Sequence, residues 1–291
     1  MRRQSGHHFA MTVMEVLQST TAYFKKRGVE SPRLNAEHLL AHQLGQKRIE
    51  LYLEFERVLI EPQLAALRDL VRRRGQGEPL QHLLGTVEFC GRVFVSDKRA
   101  LIPRPETEEL VELLLSECGK LNSALLRIVD VGTGSGVIAL SLAAELPEAE
   151  VHAVDVSTEA LQLAQENAAR LQLTERLHFR QSDLLGEVEG SFDVIAANLP
   201  YVAASERATV SREVRHDPEL AVFGGETGDE IIRRLIVDAP EKLRSGGLLA
   251  MEIGIGQADA LAAFLAGQNY HDISQRHDYA GVTRFLLARY G

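Results

Sequence analysis

The sequence lacks any hydrophobic run approaching the roughly 18 residues that a membrane helix needs, so a helical membrane protein is excluded. Cysteine is almost missing. Cys90 and Cys118 stand alone, without CxxC spacing, which excludes a disulfide framework and makes a reducing cytoplasm the expected location. Met1 to Ala10 carries basic residues but no apolar core behind them, and so does not read as a secretory signal. An excess of positive charge is also missing, since 32 Lys and Arg face 41 Asp and Glu for a net charge of -9. The first ninety residues are slightly basic, so the acidity belongs to the remainder. Phosphate contacts need clustered Lys and Arg, and a strongly acidic second part argues against a general nucleic-acid binder while suiting a cationic ligand. The one basic cluster, Arg72-Arg73-Arg74, lies at the end of an expected helix, where the dipole favours cations. His38 and His42 share a helix face at i, i+4, but no third ligand accompanies them, and no metal is expected.

What is present divides in two. A chain of 291 residues exceeds one average domain. The first part reads as a small helical bundle. Val13, Val16, Leu17 and Phe24 recur at helical spacing before Gly28, and Ser31-Pro32 supplies an N-cap and first-turn proline for a helix ending at Gly45. Short helices follow around Ile49 to Leu53, Pro62 to Arg74 and Pro79 to Gly85. Next, Val87-Glu88-Phe89 and Val93-Phe94-Val95 flank a glycine-containing turn and read as a hairpin joining the two parts. Leu101-Ile102-Pro103-Arg104-Pro105-Glu106-Thr107-Glu108 is then a proline-stiffened segment before a helix. It is either a rigid linker or a wall of an active site.

From residue 125 strands and helices alternate. Strands are expected at Leu126 to Asp130, Val151 to Asp155, Leu177 to Arg180, Phe192 to Ala197, Leu248 to Ile253, His271 to Gln275 and Thr283 to Ala288. Helices are expected at Val137 to Leu146, Thr158 to Leu171, Glu230 to Leu243 and Gln257 to Leu265. Such alternation implies an α/β fold with a mostly parallel sheet covered on both faces, whose ligands bind at the carboxyl ends of the strands. Gly132 to Gly136, Asp155, Asp183 and Asn198 all fall at such ends.

Two of these sites carry the chemistry. Gly132, Gly134 and Gly136 alternate, with Val137 at the third position of a Gly-x-Gly-x-x-Gly fingerprint, so the loop departs from the nicotinamide pattern while still bringing backbone close to a ligand. Asp155 stands where a ribose diol is gripped. Asn198-Leu199-Pro200-Tyr201 ends a buried-strand pattern and suits a planar amino group. The Asn198 side-chain oxygen and the Leu199 carbonyl can each accept one N-H, Pro200 biases Leu199 toward an extended backbone, and the Tyr201 ring can pack on the planar face.

With these motifs in hand, the chain resembles the protein N5-glutamine methyltransferases that modify peptide chain release factors with S-adenosylmethionine. Glu78-Pro79-Leu80-Gln81, the hairpin, Leu101 to Glu108, Asp130 to Gly136, and Asp217-Pro218-Glu219-Leu220-Ala221 running to Gly224-Gly225 carry the resemblance. It implies an N-terminal helical substrate-recognition domain over 1–85, a β-hairpin linker over 86–100, and a Rossmann-like seven-stranded methyltransferase domain over 101–291. It also implies that Asp130, Gly132, Thr133, Gly134, Ser135 and Gly136 line the cofactor, Asp155 holds its ribose and Asp183 and Leu184 flank the adenine. Asn198 also belongs to the cofactor set. Asn198, Leu199, Pro200 and Tyr201 would bind and activate the target glutamine, with Arg104 and Glu106 as further substrate contacts. S-adenosylhomocysteine would be the product, no metal would be needed, class I release factors would be the partners, and the chain would be a cytoplasmic monomer with no direct nucleic-acid or membrane contact.

Leu199 departs from the family's usual Asn-Pro-Pro-Tyr, and Asp217 from its usual Glu-Pro start. Asn-Leu-Pro-Tyr also occurs in ribosomal RNA adenine dimethyltransferases, whose substrate presents a planar NH2 as well. An RNA adenine methyltransferase and a silent cofactor-binding protein therefore stand as alternatives. The N-terminal domain, the Pro103 to Glu108 segment and the acidic balance favour the protein substrate.

Overall fold

The computed structural model describes residues 11–121 and 125–291, so the expectation for Met1 to Ala10 lies outside it. The chain forms two compact units, one up to Gly85 and one from Thr86 to Gly291. Among the described residues no helix is long and apolar enough to cross a membrane.

In the first unit β1 (Met11–Thr12) pairs antiparallel with β2 (Val58–Leu59). Helices α1 (Val13–Arg27), α2 (Pro32–Leu44), α3 (Arg48–Leu51), α4 (Glu61–Gly75) and α5 (Leu80–Leu84) enclose one core. Thr12 caps α1 reciprocally with Glu15: its hydroxyl accepts the Glu15 N-H at 3.3 Å, and the Glu15 carboxylate accepts the Thr12 N-H at 2.8 Å. Val13, Val16, Leu17 and Phe24 are buried, as their spacing requires. Ser31, however, does not cap α2. Its backbone is left-handed (φ 45°) and its side chain makes no cap bond. Asn35 ties the chain before the helix in another way, donating from Nδ2 to the carbonyls of Glu30 and Ser31 while its Oδ1 accepts from Arg74 Nε at 2.7 Å. The basic cluster is consumed within the unit: Arg72 meets Asp69, Arg73 meets Glu78, and Arg74 is buried.

The second unit opens with the antiparallel hairpin β3 (Thr86–Phe89) and β4 (Arg92–Val95), turning through Cys90 and Gly91 at positive φ. Helix α6 (Pro105–Cys118) follows the proline segment. Then come β5 (Arg127–Val131), α7 (Val137–Glu145), β6 (Glu150–Asp155), α8 (Thr158–Arg170), β7 (Leu177–Gln181) and β8 (Phe192–Asn198). A long excursion carries β9 (Val202–Ala203), α9 (Glu219–Val222) and β10 (Phe223–Gly225). The chain closes with α10 (Glu230–Asp238), β11 (Leu243–Glu252), α11 (Ala258–Gly267), β12 (Tyr270–His277) and β13 (Thr283–Tyr290).

The seven sheet strands run in the order β12-β13-β11-β8-β5-β6-β7, parallel except for β13, which is antiparallel to both neighbours. Successive side chains of a strand point to opposite faces. Val194, Ala196, Leu248 and Ala250 accordingly pack with α6 and α7 on one face, while Ile195, Ala197, Leu249 and Met251 pack with α10 and α11 on the other. The chain leaves β5 in one direction and returns on its other side as β8, so a crevice opens between their carboxyl ends. Most boundaries differ from expectation by one or two residues, and one by more. Instead of running to Leu243, α10 stops at Asp238 and passes into a 3-10 turn containing Pro240, and β11 starts at Leu243 with a register shift before Leu248. Pro240 cannot donate to a continuing helix, which is why the apolar spacing misleads there.

Candidate active site

A cavity of about 430 Å³ occupies the crevice, a size typical of small-molecule sites. Its wall includes Gly132, Thr133, Gly134, Ser135, Asp155 and Asn198. The glycine loop lies over β6: the N-H groups of Gly132 and Thr133 both donate to the Val154 carbonyl at 2.9 Å. Gly132 has φ 73°, and a Cβ there would stand 2.8 Å from Leu199 Cδ2, so glycine is needed for both backbone and space. Beneath the loop, fully buried Asp130 accepts from the Thr133 hydroxyl at 2.7 Å and the Ala139 N-H at 3.2 Å. Burial pushes its carboxyl up to about 7. Asp130 and Gly136 are outside the wall of the cavity. The first props the loop, and the second starts α7 where a Cβ would press on Ala164 of α8 at 3.1 Å.

Asp155, at the end of β6, accepts the N-H groups of Gly134 and Ser157, each at 2.9 Å. Burial raises its carboxyl above the ordinary value, against those amides. Ser182, Asp183 and Leu184 close this side of the cavity. The Asp183 carboxylate itself is exposed and paired with Arg234 at 2.8 Å, which leaves the buried Leu184 side chain as the apolar edge.

Asn198 ends β8 directly beside Glu252 of β11 in the parallel register. Its Nδ2 donates to Thr107 Oγ1 at 3.0 Å, and Thr107 donates to Glu252 Oε2 at 2.7 Å. Thr107 and Glu252 are both 2% exposed. Burial pushes the Glu252 carboxyl up to about 7, against the opposing pull of Thr107, Arg284 and Asn198. Leu199 is buried, with its side chain in the sheet core against Gly132, so Leu rather than Pro fills space here. Tyr201 is placed differently from expectation. Its ring packs against the core on the α10 face, outside the cavity wall, with its hydroxyl 3.5 Å from Glu252 Oε1, and burial pushes that hydroxyl up to about 12.

Glycines support this turn from behind. β10 pairs with β9, and a Cβ on Gly224 would lie 2.3 Å from the Pro200 carbonyl oxygen, while one on Gly228 would lie 2.6 Å from that of Tyr201. Gln257 Nε2 also holds the Tyr201 carbonyl at 3.0 Å. Arg104 is taken up by scaffold: it pairs with Asp217 at 2.9 Å, and Asp217 further accepts the Ile102 N-H at 3.3 Å. Burial pushes Asp217 up to about 6, with Arg104 opposing. Neither Arg104 nor Glu106 lines the cavity; Thr107, the next residue, does. Thr107 and Glu252 escaped sequence reasoning, although Glu252 carries the signal that marked Asp155, an acid ending an apolar strand.

His38 and His42 join no ligand cluster among the described residues. The group that does gather, Glu150, His152 and His178, has its ligand atoms within 4.8 Å of one another. Arg127 takes the place of a cation there, bound to Glu150 at 3.0 Å and 3.4 Å from His152 Nε2.

Known proteins resemble this chain in sequence and in fold. The family model described as PrmC N-terminal domain matches residues 15–85, and the methyltransferase small domain matches residues 107–216. A release factor glutamine methyltransferase of Rhodopirellula baltica is 43% identical over 282 residues, 94% of this chain and 95% of that one. One of the same name from Deinococcus radiodurans is 41% identical over 279 residues, 96% and 99% of the two chains. Among solved structures, a methyltransferase of Pyrococcus furiosus superposes with a TM-score of 0.52 at 18% identity, covering 68% of this chain and 88% of its own. The catalytic domain of hMettl16, in complex with a MAT2A 3'UTR hairpin, reaches 0.55 at 17%, covering 81% and 85%. At such identities the likeness concerns the fold.

Proposed function

The chain belongs to the release factor glutamine methyltransferases, and from that premise we propose that it methylates the side-chain N5 of the glutamine in the Gly-Gly-Gln motif of class I peptide chain release factors, supporting translation termination. The observation that carries the reading is the Asn198 side chain at the cavity wall. Its amide nitrogen is committed to Thr107, and among the described residues no donor meets its oxygen. A free, oriented acceptor at the rim of a cofactor-sized cavity is what a planar NH2 requires.

The residues fit S-adenosylmethionine. Gly132 to Ser135 present close backbone, Asp155 offers a carboxylate at the end of β6, and Leu184 an apolar edge. Bound there, the cofactor would supply an electrophilic sulfonium methyl. The chain's own task is to make an amide nitrogen attack it. That nitrogen is a poor nucleophile, because its lone pair is delocalised into the carbonyl. Asn198 Oδ1 and the Leu199 carbonyl accept its two N-H groups, hold it in line, and favour the positive charge that grows as the lone pair is drawn out. Holding reactants this way can supply a large part of roughly 7 to 11 kcal/mol.

The finer assignments belong to the same proposal. Residues 1–85 recognise the release factor, the hairpin over 86–100 links, and 101–291 carry the transfer, by a cytoplasmic monomer without a metal. The Arg104–Asp217 pair braces the rim, with Glu106 facing the incoming factor.

The test is to incubate the protein with labelled S-adenosylmethionine and a class I release factor, beside a copy whose Gly-Gly-Gln glutamine is alanine. Label in the first and not the second is expected. Label in both, or transfer to stripped ribosomal RNA instead, would overturn the reading.

A further inference from the structure

We propose that Thr107 and Glu252 are positioning residues that set which end of the Asn198 amide faces the substrate; the inference rests on the glutamine reading above. A hydroxyl has one proton to give. At 2.7 Å from Glu252 Oε2, the Thr107 hydroxyl gives it to the carboxylate, and so can only accept from Asn198. It therefore selects Nδ2, which stands 3.0 Å away, and turns Oδ1 out toward the cavity. An amide's nitrogen and oxygen have the same shape, so packing alone cannot distinguish the two orientations. The hydrogen-bond sense does.

The device is costly, which argues that it is there for a purpose. β11 buries Leu248, Leu249, Ala250 and Met251, and then places a carboxylate that is 2% exposed. An apolar residue at that position would avoid the desolvation penalty. The three side chains come from α6, β8 and β11, and they meet only because the parallel register sets Glu252 beside Asn198. Besides Thr107 and Asn198, the groups facing Glu252 are Arg284 of β13, which favours its charge, Glu106 of α6, which opposes it, and the Tyr201 hydroxyl.

Protonating Glu252 reverses the sense. The acid then donates to Thr107, whose proton is free to point at Asn198. The amide is stable turned over, with its NH2 toward the substrate NH2, donor against donor. Transfer should therefore fall as Glu252 takes up a proton.

The experiment compares wild type, Thr107→Val, Thr107→Ser and Glu252→Gln for methyl transfer to a class I release factor across pH, with cofactor affinity and thermal unfolding measured alongside. Thr107→Val is expected to lower kcat about 100-fold, the scale of an ångström of misplacement, with S-adenosylmethionine affinity kept, and Thr107→Ser to restore most of it. Wild-type kcat should decline as pH falls through about 7, and Glu252→Gln should lose that acid limb whatever its plateau. If Thr107→Val fails to fold, the acid limb and the serine variant still decide. Wild-type kcat in a folded Thr107→Val, or an acid limb unchanged in Glu252→Gln, would overturn the pairing and leave the glutamine reading intact. Absence of transfer by the wild type would overturn both.

Discussion

Replacing Gly224 by alanine isolates the backing of the Asn198–Tyr201 turn. A Cβ at this position would stand 2.3 Å from the Pro200 carbonyl oxygen and 2.3 Å from that of Gly228. Both are backbone atoms, so no side chain can swing aside, and contact distance of roughly 3.3 Å requires about 1 Å of movement. The Pro200 side of that movement displaces the peptide next to Leu199, whose carbonyl is one of the two proposed acceptors. An ångström of misplacement costs about 100-fold in rate, and overpacking about 1 to 3 kcal/mol in stability. The glycine loop and Asp155 are untouched by it, so cofactor affinity should hold. Steady-state methyl transfer to a release factor, titration with S-adenosylmethionine and thermal unfolding measure the three effects. Gly267→Ala serves as control, since nothing lies within 4 Å of its added Cβ and stability should be kept or slightly raised. Unaltered kcat in Gly224→Ala would refute the view that the glycine segment holds the turn in place.

Asn198→Ala should abolish measurable transfer, by about 100-fold or more, while cofactor binding survives, because it removes an acceptor aimed at the reacting nitrogen; equilibrium binding beside single-turnover transfer checks this, and unchanged turnover would remove Asn198 from its role. Asp155→Ala should do the reverse, weakening S-adenosylmethionine binding by roughly tenfold or more, the scale of a charged hydrogen bond, with transfer recovering at saturating cofactor. Asp130 is one of the buried acids that make stability depend on pH. Its folded carboxyl lies at about 7 against 3.8 when unfolded, so the folded state holds the proton more tightly. The contribution is therefore present below about pH 4 and lost as pH rises toward 7, by up to about 4 kcal/mol. Urea midpoints of Asp130→Asn should vary less between pH 5 and 8 than those of wild type; an identical slope would show that Asp130 is not the titrating group.

Much of this protein was legible locally. The 3.6-residue spacing of Val13, Val16, Leu17 and Phe24 announced α1, and short apolar runs announced the sheet strands, because burial of one face imposes a period on the chain. The places of Gly132 to Gly136, Asp155 and Asn198 at the ends of β5, β6 and β8 were legible from the apolar runs before them. Local reading failed where a distant partner decided. Ser31 makes no cap bond because its backbone is left-handed, where Asn35, held by Arg74 from α4, grips its carbonyl, and Tyr201 turned toward Glu252 instead of the cavity. Leu199 looked like a weakened proline until its side chain was seen filling the space against Gly132.

Most elements, the family and the marked strand ends could thus be read from the chain alone, since these follow from short-range periodicity and from residues that are contiguous. Only the tertiary structure decided how Asn198 is oriented. Thr107 lies 91 positions before it and 145 before Glu252. What joins the three is the register of β8 against β11 and the seating of α6, both set by packing across the whole sheet, and no local pattern encodes such a register.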